Sequence, residues 1–444
     1  MQQNADSKKE YGLLGEKLSH SFSPMIHNKL GNGNYGLFAV EKTGLDAFMK
    51  ERGFSAINVT IPYKQAVMPY LARISDTARE IGSVNTIVKE ADGSLSGYNT
   101  DFSGMLYAMH AAGISCSGKK VLILGSGGTS LTARAAARRS GAAEIVVISR
   151  KGENNYENIS SHADAEVIIN TTPVGMYPNN GAALISLKNF PRCGGVFDVI
   201  YNPFLTPLLK EAKALGIPYQ NGLPMLVAQA KYAHDLFFGR VTEEYVPETG
   251  SGKECGISER SETASESAVI DAITASLYAE LSNIVLIGMP SAGKTSVGKA
   301  LSELLNRPLV DLDTALEETY GQKIPDIFAK EGEAGFRDKE SVIAARYGKE
   351  RGQIIACGGG VVLREENAEV LKQNGFLVFL ERDLRCLSTD GRPLSKDYET
   401  LCAMYEKRLP LYRKYANCTV PNDDSTAHAA ERIRDAFAAW TGQK

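Results

Sequence analysis

Short apolar runs recur along the chain, and most of them end in glycine or small polar residues. Tyr11-Gly-Leu-Leu-Gly15, Thr86-Ile-Val-Lys89, Val121-Leu-Ile-Leu124, Glu144-Ile-Val-Val-Ile148, Val167-Ile-Ile-Asn170, Val196-Phe-Asp-Val-Ile200, Ile284-Val-Leu-Ile287 and Ile354-Ile-Ala356 all have this form. Runs this short, with turn residues behind them, read as strands buried in a sheet. Between them apolar residues fall at helical spacing: Met25, Ile26 and Leu30; Leu131 with its alanine run; Val269, Ile270, Ile273, Leu277 and Leu281; Val297, Ala300, Leu301 and Leu304. Strand followed by helix, repeated, predicts an α/β fold.

At 444 residues the chain has room for roughly three domains, taking about 150 residues for each. The stretch 246–281 opens with Pro247-Glu-Thr-Gly-Ser-Gly and continues rich in Ser and Glu, so it reads as a flexible linker closed by a helix. A net charge of −3 gives no sign of nucleic-acid binding. The first ten residues are polar, unlike a signal peptide, and no apolar run approaches the ~18 residues of a membrane helix. The seven cysteines are scattered without a C-x-x-C, and the six histidines form no H-x-x-x-H pair. The expectation is a cytoplasmic enzyme with reduced thiols, no structural metal and no membrane partner. Monomer and homodimer both remain open.

The strongest local chemistry lies at Gly288-x-x-x-x-Gly293-Lys294-Thr295, after one apolar run and before a helical one. Loop amides and a helix N-terminus favour anionic oxygens, a lysine reaches the outer phosphates and a threonine hydroxyl meets Mg²⁺. Gly288, Ser291, Ala292, Gly293, Lys294, Thr295 and Ser296 are therefore expected to line a nucleotide-phosphate site. Asp311 and Asp313 alternate at the end of Pro308-Leu-Val-Asp-Leu-Asp313 and are expected to share a strand face. One would serve Mg²⁺ and the other a substrate hydroxyl. The triplet Gly358-Gly359-Gly360 allows close backbone approach.

A second glycine turn, Gly125-Ser-Gly127-Gly128, also runs from a strand into a helix and suits a pyrophosphate. The next strand ends in Ser149-Arg150-Lys151, where a cofactor with a free ribose 2′-hydroxyl would call for an acidic residue. The basic pair predicts NADP(H) over NAD(H). Upstream, Ser21, Ser23, Thr60, Asn85, Asn99, Thr100 and Asp101 put small polar groups at the ends of apolar segments. Such groups suit a polyhydroxylated ligand, and Lys64 with Asp101 can hold one another and pass a proton. Ser21 and Ser23 could equally be helix caps ahead of Pro24.

The ordered motifs Ser19-His-Ser-Phe-Ser-Pro-x-x-His-Asn28, Asn58-Val-Thr-Ile-Pro-Tyr-Lys64, Gly82-x-Val-Asn-Thr86 and Gly97-Tyr-Asn-Thr-Asp101 resemble shikimate dehydrogenase, as does Asn221-Gly-Leu-Pro-Met-Leu-Val-Ala-Gln-Ala230. The phosphate loop, Gly332-Glu-Ala-Gly-Phe-Arg337, the glycine triplet, Asp390-Gly-Arg392-Pro-Leu and Lys407-Arg408-Leu-Pro-Leu-Tyr412 together resemble shikimate kinase. The first resemblance implies Ser21 and Ser23 on the substrate carboxylate, Thr60, Asn85 and Asp101 on ring hydroxyls, Gln229 returning to the substrate, and Lys64 with Asp101 as the catalytic pair. Tyr201, Gly222 and Met225 would lie at the nicotinamide. The second implies Asp313, Arg337, Gly358, Gly359, Gly360 and Arg408 on shikimate. Thr295 and Asp311 would serve Mg²⁺, Lys294 the phosphates, and Arg392 the γ-phosphate as a lid arginine.

Two departures from the families stand out. About twenty residues separate Arg150 from Asn170, short for a helix and a strand. The lid between Leu380 and Arg392 is also short, and Arg385 is the candidate for stacking on adenine. The implied organisation is a two-lobed dehydrogenase at 1–245, with its substrate lobe at 1–105 plus 223–245 and its Rossmann-like NADP lobe at 106–222. The linker at 246–281 and a P-loop α/β kinase domain at 282–444 follow. The implied function is bifunctional: 3-dehydroshikimate to shikimate with NADPH, then shikimate to shikimate 3-phosphate with ATP and Mg²⁺. The alternatives are a quinate or aminoshikimate dehydrogenase fused to another small-molecule kinase, separable by turnover of the competing acids, and a metabolite sensor that binds without turnover.

Overall fold

The structure is a computed structural model, described here for residues 10–18, 21–178, 180–241, 264–387 and 398–442. The chain divides into two compact units, residues 1–201 with 206–274, and 202–205 with 275–444. Arg392 and most of the short lid lie outside the described residues, as do Ser19, His20 and most of the Gly/Ser/Glu-rich stretch.

The first unit holds two sheets. One is mixed, built from β1 (Tyr11–Gly15), β2 (Tyr35–Ala39), β3 (Ala56–Val59), β4 (Arg73–Ile74), β5 (Thr86–Lys89) and β6 (Leu95–Tyr98), in the order β2-β1-β3-β5-β6-β4. Strand β5 runs antiparallel to both β3 and β6. This brings the carboxyl end of β3, the amino end of β5 and the carboxyl end of β6 to one edge, the edge that carries Thr60, Asn85 and Asp101.

The other sheet is parallel, built from β7 (Lys120–Leu124), β8 (Glu144–Ile148), β9 (Val167–Asn170), β10 (Val196–Asp198) and β11 (Tyr219–Gln220), in the order β11-β10-β9-β7-β8. Its strands are fully buried at Val121–Leu124 and Val167–Ile169, as the unbroken apolar runs require. Between β8 and β9 there is only a short turn of helix, Ile159–His162. The short spacing from Arg150 to Asn170 thus reflects a crossover without its α-helix.

Two helices frame the first sheet's working edge. Thr100–Ala111 carries Asp101 in its first turn, and Leu223–Phe237 carries Met225 and Gln229. Their approach depends on Gly104, where an added Cβ would lie 2.7 Å from Met225 O and 3.0 Å from Gln229 N. Both clashes include backbone, so Gly104→Ala must push the helices apart. The expected cost is about 1–3 kcal/mol of stability, with a raised KM for the ligand of this edge. A thermal melt beside that KM checks it, and an unchanged KM with normal stability would show the helix spacing to be irrelevant.

The second unit has one parallel sheet of β12 (Asn283–Ile287), β13 (Leu309–Asp311), β14 (Ile354–Ala356), β15 (Gly375–Glu381) and β16 (Cys418–Pro421), in the order β13-β14-β12-β15-β16. The phosphate loop leaves β12 at the centre. A crevice at the carboxyl ends of such strands is where ligands bind in doubly wound folds.

The helix predicted to end at Leu281 spans Ala264–Leu281, and the division between the units runs through it at Thr274. Within the first unit, Tyr107 donates to Asp271 at 2.6 Å, and Lys231 lies 3.9 Å from Glu266. This part of the stretch read as linker is therefore packed against helices of the first unit.

Candidate active sites

In the first unit, Lys64 Nζ donates to Asp101 Oδ2 at 2.5 Å. Their side chains are 26% and 15% exposed, so the pair is mostly sheltered yet open to water. Lys64 sits in the turn after β3, and its carbonyl accepts from Val84 N. Asp101 is held by the start of its helix, whose N-cap Asn99 accepts from Phe102 N.

Around this pair runs a chain of buried hydrogen bonds. Tyr35 donates to Asn58 Oδ1 at 2.8 Å, and Asn58 Nδ2 donates to Thr86 Oγ1 at 3.2 Å. Thr86 and Thr100 hydroxyls lie 3.1 Å apart, and Asn85 accepts from Thr100 N at 2.7 Å. Asn85 Nδ2 reaches Gln229 Oε1 at 3.5 Å. Burial and the neighbouring His234 push the His27 pKa down to about 3. Its neutral ring stacks on Tyr35, with Nε2 3.1 Å from Asn58 Oδ1. Asn58, Tyr35 and His27 thus support this site. Asn58 was legible in its motif, whereas nothing in the local pattern singles out Tyr35.

Neither Ser21 nor Ser23 is the N-cap residue of its helix. The N-cap of Ser23–Lys29 is Phe22, with no side-chain cap bond. Instead Ser21 Oγ accepts from Ser23 N, and Ser23 is buried beside the Tyr35 hydroxyl. Phe22 meets Tyr201 ring to ring at 5.3 Å, bringing Tyr201 from after β10 to the serine motif. Gly222 must remain glycine, since a Cβ there would lie 2.0 Å from Val199 O.

At the parallel sheet, Gly125 turns with φ +103° and packs under Thr171 and Thr172. Gly127 caps the helix Gly128–Arg139 without a side-chain bond, so the helix starts directly behind the glycine turn. Gly125 N donates to Ile148 O, which sets the turn bearing Ser149, Arg150 and Lys151 next to the glycine turn. Arg150 and Lys151 are exposed. A dinucleotide with an extra phosphate fits this surface. Asp198, buried with its pKa raised to about 6 by desolvation, accepts from Asn170, Ile200 N and Thr206, and so fixes the loop that carries Tyr201.

In the second unit the loop closes over itself. Lys294, nearly buried, donates to Gly288 O at 3.0 Å and Met289 O at 2.8 Å. Gly293 (φ +90°) and Ser291 (φ +63°) take left-handed backbone. Thr295 donates to Asp311 Oδ2 at 2.5 Å. Asp311 and Asp313 do not share a strand face: β13 stops at Asp311, which caps the helix Leu312–Tyr320 by accepting from Asp313 N and Thr314 N. A helical first turn, not strand alternation, sets their relation. Among the described residues no group of three or more His, Cys, Asp or Glu could hold a metal. Thr295 and Asp311 instead offer two oxygens beside the loop, which suits Mg²⁺ that arrives with phosphates and water.

The glycine triplet lies at the other side of this loop. A Cβ on Gly359 would meet Pro290 at 2.6 Å, and one on Gly358 would lie 2.7 Å from Asp313 Oδ1. A Cβ on Gly360 would collide with the Arg337 guanidinium. Arg337 is buried and pairs with Glu340 at 2.7 Å and Glu333 at 3.2 Å. Burial raises the Glu340 pKa against the pull of Arg337. Arg337 Nε and Glu340 Oε1 are buried without protein partners. Arg408, also buried, and Tyr412 both donate to Gly359 O, the latter at 2.5 Å. Two arginines, an aspartate and three glycines thus converge beside a phosphate loop. Glu340 and Tyr412 are members that pattern reading did not select, although Tyr412 ends one motif stretch and Glu340 lies three residues past another.

A cavity of about 700 Å³ lined by Arg73, Arg79, Glu90, Ser96, Tyr98 and Phe237 contains none of these groups, so chemistry rather than concavity locates both sites.

The model of the shikimate dehydrogenase substrate binding domain matches residues 13–87, and that of shikimate kinase matches 290–438. A shikimate dehydrogenase (NADP(+)) from Clostridium perfringens is 38% identical over 265 residues, covering 54% of this chain and 97% of that protein. One from Geobacillus kaustophilus is 39% identical over 259 residues, covering 52% and 94%. A crystal structure of a chorismate mutase/shikimate 5-dehydrogenase fusion protein from Clostridium acetobutylicum is 32% identical, with a TM-score of 0.51, covering 60% of this chain and 96% of that one. No helix among the described residues is long and apolar enough to cross a membrane. The chain belongs to the shikimate dehydrogenase family and carries a shikimate kinase domain behind it.

Proposed function

We propose that the chain catalyses two consecutive steps: NADPH-dependent reduction of 3-dehydroshikimate to shikimate, then phosphorylation of shikimate by Mg·ATP to shikimate 3-phosphate. One observation carries the reading. A sheltered Lys64–Asp101 pair in one unit and a buried Arg337–Arg408 pocket beside a phosphate loop in the other serve successive chemistry on one hydroxylated acid.

When bound, NADPH supplies a hydride and Mg·ATP a γ-phosphoryl group. In the reductive site Ser21 and Ser23 hold the carboxylate, and Thr60, Asn85, Asp101 and Gln229 hold ring oxygens. Lys64 gives a proton to the ketone oxygen while Asp101 keeps the ammonium in place. Water then restores that proton through the exposed part of Lys64. Tyr201, Gly222 and Met225 shape the nicotinamide pocket. Gly125, Gly127 and Gly128 would hold the pyrophosphate, and Ser149, Arg150 and Lys151 the 2′-phosphate.

In the kinase site Arg337 and Arg408 bind the carboxylate, for which a planar fork is suited. The triplet Gly358–Gly360 cradles the ring, and Asp313 accepts the proton of the attacking hydroxyl. Gly288, Ser291, Ala292, Gly293 and Ser296 surround the phosphates with Lys294. Thr295 and Asp311 would hold Mg²⁺, and Arg392, outside the described residues, is assigned to the γ-phosphate by its motif alone.

Mass spectrometry after mixing the protein with 3-dehydroshikimate, NADPH, ATP and Mg²⁺ tests the whole. Shikimate 3-phosphate should form, and shikimate should accumulate when ATP is withheld. No product in any mixture would leave a binding protein in place of an enzyme. For the cofactor, Arg150→Ala should raise the NADPH KM roughly 10–100-fold, the worth of a charge-assisted bond, and leave the NADH KM unchanged. Equal effects on both cofactors would remove the 2′-phosphate assignment.

A further inference from the structure

We propose that Arg382, rather than Arg385, is the cation that meets the nucleotide at the mouth of the phosphate loop. The proposal rests on the kinase reading above and names a residue for it.

Arg385 is committed elsewhere. Its Nε and Nη2 bind Asp383 within the same turn, at 3.1 and 2.6 Å, and its side chain is 79% exposed. Both of these bonds go to the one carboxylate two residues away, in a pair that stands mostly in water. Arg382 is placed differently. It is the first residue past β15, half-buried, at the carboxyl edge of the sheet. Its Nη1 comes within 3.9 Å of the position a Cβ would take on Gly293, the residue that caps the helix Lys294–Leu305.

The loop and both strand ends are joined here. Asn422, just past β16, donates its N–H to Glu381 O and its Nδ2 to Ala292 O. Arg382 is flanked by two acids in sequence but pairs with no carboxylate among the described residues. Glu381 instead accepts from Tyr405 and lies 4.0 Å from Arg413, while Asp383 is held by Arg385. A cation without a counter-charge, set against the positive end of a helix, repels its surroundings until an anion arrives. A nucleoside di- or triphosphate supplies that anion, and its approach to Gly293 brings it within the reach of Arg382.

Binding of Mg·ADP to the full chain, measured by titration calorimetry, tests the assignment without any acceptor present. Arg382→Ala should weaken ADP roughly tenfold or more, and Arg382→Lys should recover part of the loss. Arg385→Ala should stay within about twofold of wild type. NADPH-dependent reduction should be unchanged in all three, which fixes the concentration of folded protein, and Arg382→Gln repeats the test with a neutral side chain of similar length. An ADP affinity unchanged in both Arg382→Ala and Arg382→Gln, or a loss found in Arg385→Ala instead, would overturn it. Because binding is read alone, failure to phosphorylate shikimate is a separate result that bears on the acceptor.

Discussion

Replacing Lys64 by alanine should lower kcat for reduction of 3-dehydroshikimate by roughly 10²- to 10⁴-fold, the range of a positioned general acid. The argument starts from the 2.5 Å contact between Lys64 Nζ and Asp101 Oδ2. In the proposed site the proton on that amine would be the one within reach of a ring oxygen bound by Asn85, Thr60 and Asp101. Its removal leaves hydride transfer to develop an alkoxide with no donor beside it. Binding of NADPH should be untouched, because the glycine turn at Gly125 and the basic turn at Arg150 stand on a different sheet. Arginine should not rescue the rate, since a guanidinium holds its proton at any working pH. Phosphorylation of supplied shikimate should continue at the wild-type rate, so the variant would stall at the first substrate. Absorbance of NADPH under saturating substrate reads the effect. A kcat within tenfold of wild type would remove Lys64 as the acid.

Much of this arrangement is legible in the amino-acid sequence, for physical reasons that differ by element. Strands such as Val121–Leu124 and Ile284–Ile287 are buried on both faces, and that burial forces unbroken apolar runs. Glycine turns announce themselves because Gly125 and Gly293 occupy left-handed backbone that other residues resist. Partnership across long separations leaves no such mark. Tyr35 supports Asn58 from 23 residues away, and Tyr412 reaches Gly359 from 53. Neither spacing has a local period.

The strand-face reading of Asp311 and Asp313 fails for a local reason: a capping aspartate ends β13 and starts a helix, so periodicity of two no longer applies past it. The helix Ala264–Leu281 is foreseeable from Val269 onward. Its packing on Tyr107 and Lys231 is not, because apolar spacing says that a face is covered but not by what.

The counterpart lesion lies at Asp313. Asp313→Asn should lower kcat for phosphorylation by roughly 10²- to 10⁴-fold, as loss of the group that takes the hydroxyl proton. Its backbone N–H is fixed on Asp311 Oδ1 at 3.0 Å, and one carboxylate oxygen comes within 2.7 Å of where Gly358 would carry a Cβ. That closeness requires glycine and directs the carboxylate at the triplet. The amide keeps the size of the side chain, so the Arg337–Glu340 pair behind it should persist. Shikimate KM should rise far less than kcat falls, because Arg337 and Arg408, the proposed carboxylate ligands, are unchanged. Mg·ADP affinity should stay within about twofold of wild type, since Asp311 and Thr295 keep their mutual bond. The dehydrogenase rate should not change, and in the coupled mixture shikimate should accumulate where the Lys64 variant leaves 3-dehydroshikimate unconverted. Should Asp313→Asn weaken ADP binding as strongly as it slows transfer, the carboxylate would belong to the metal rather than to the acceptor hydroxyl, and the roles of Asp311 and Asp313 would have to be exchanged.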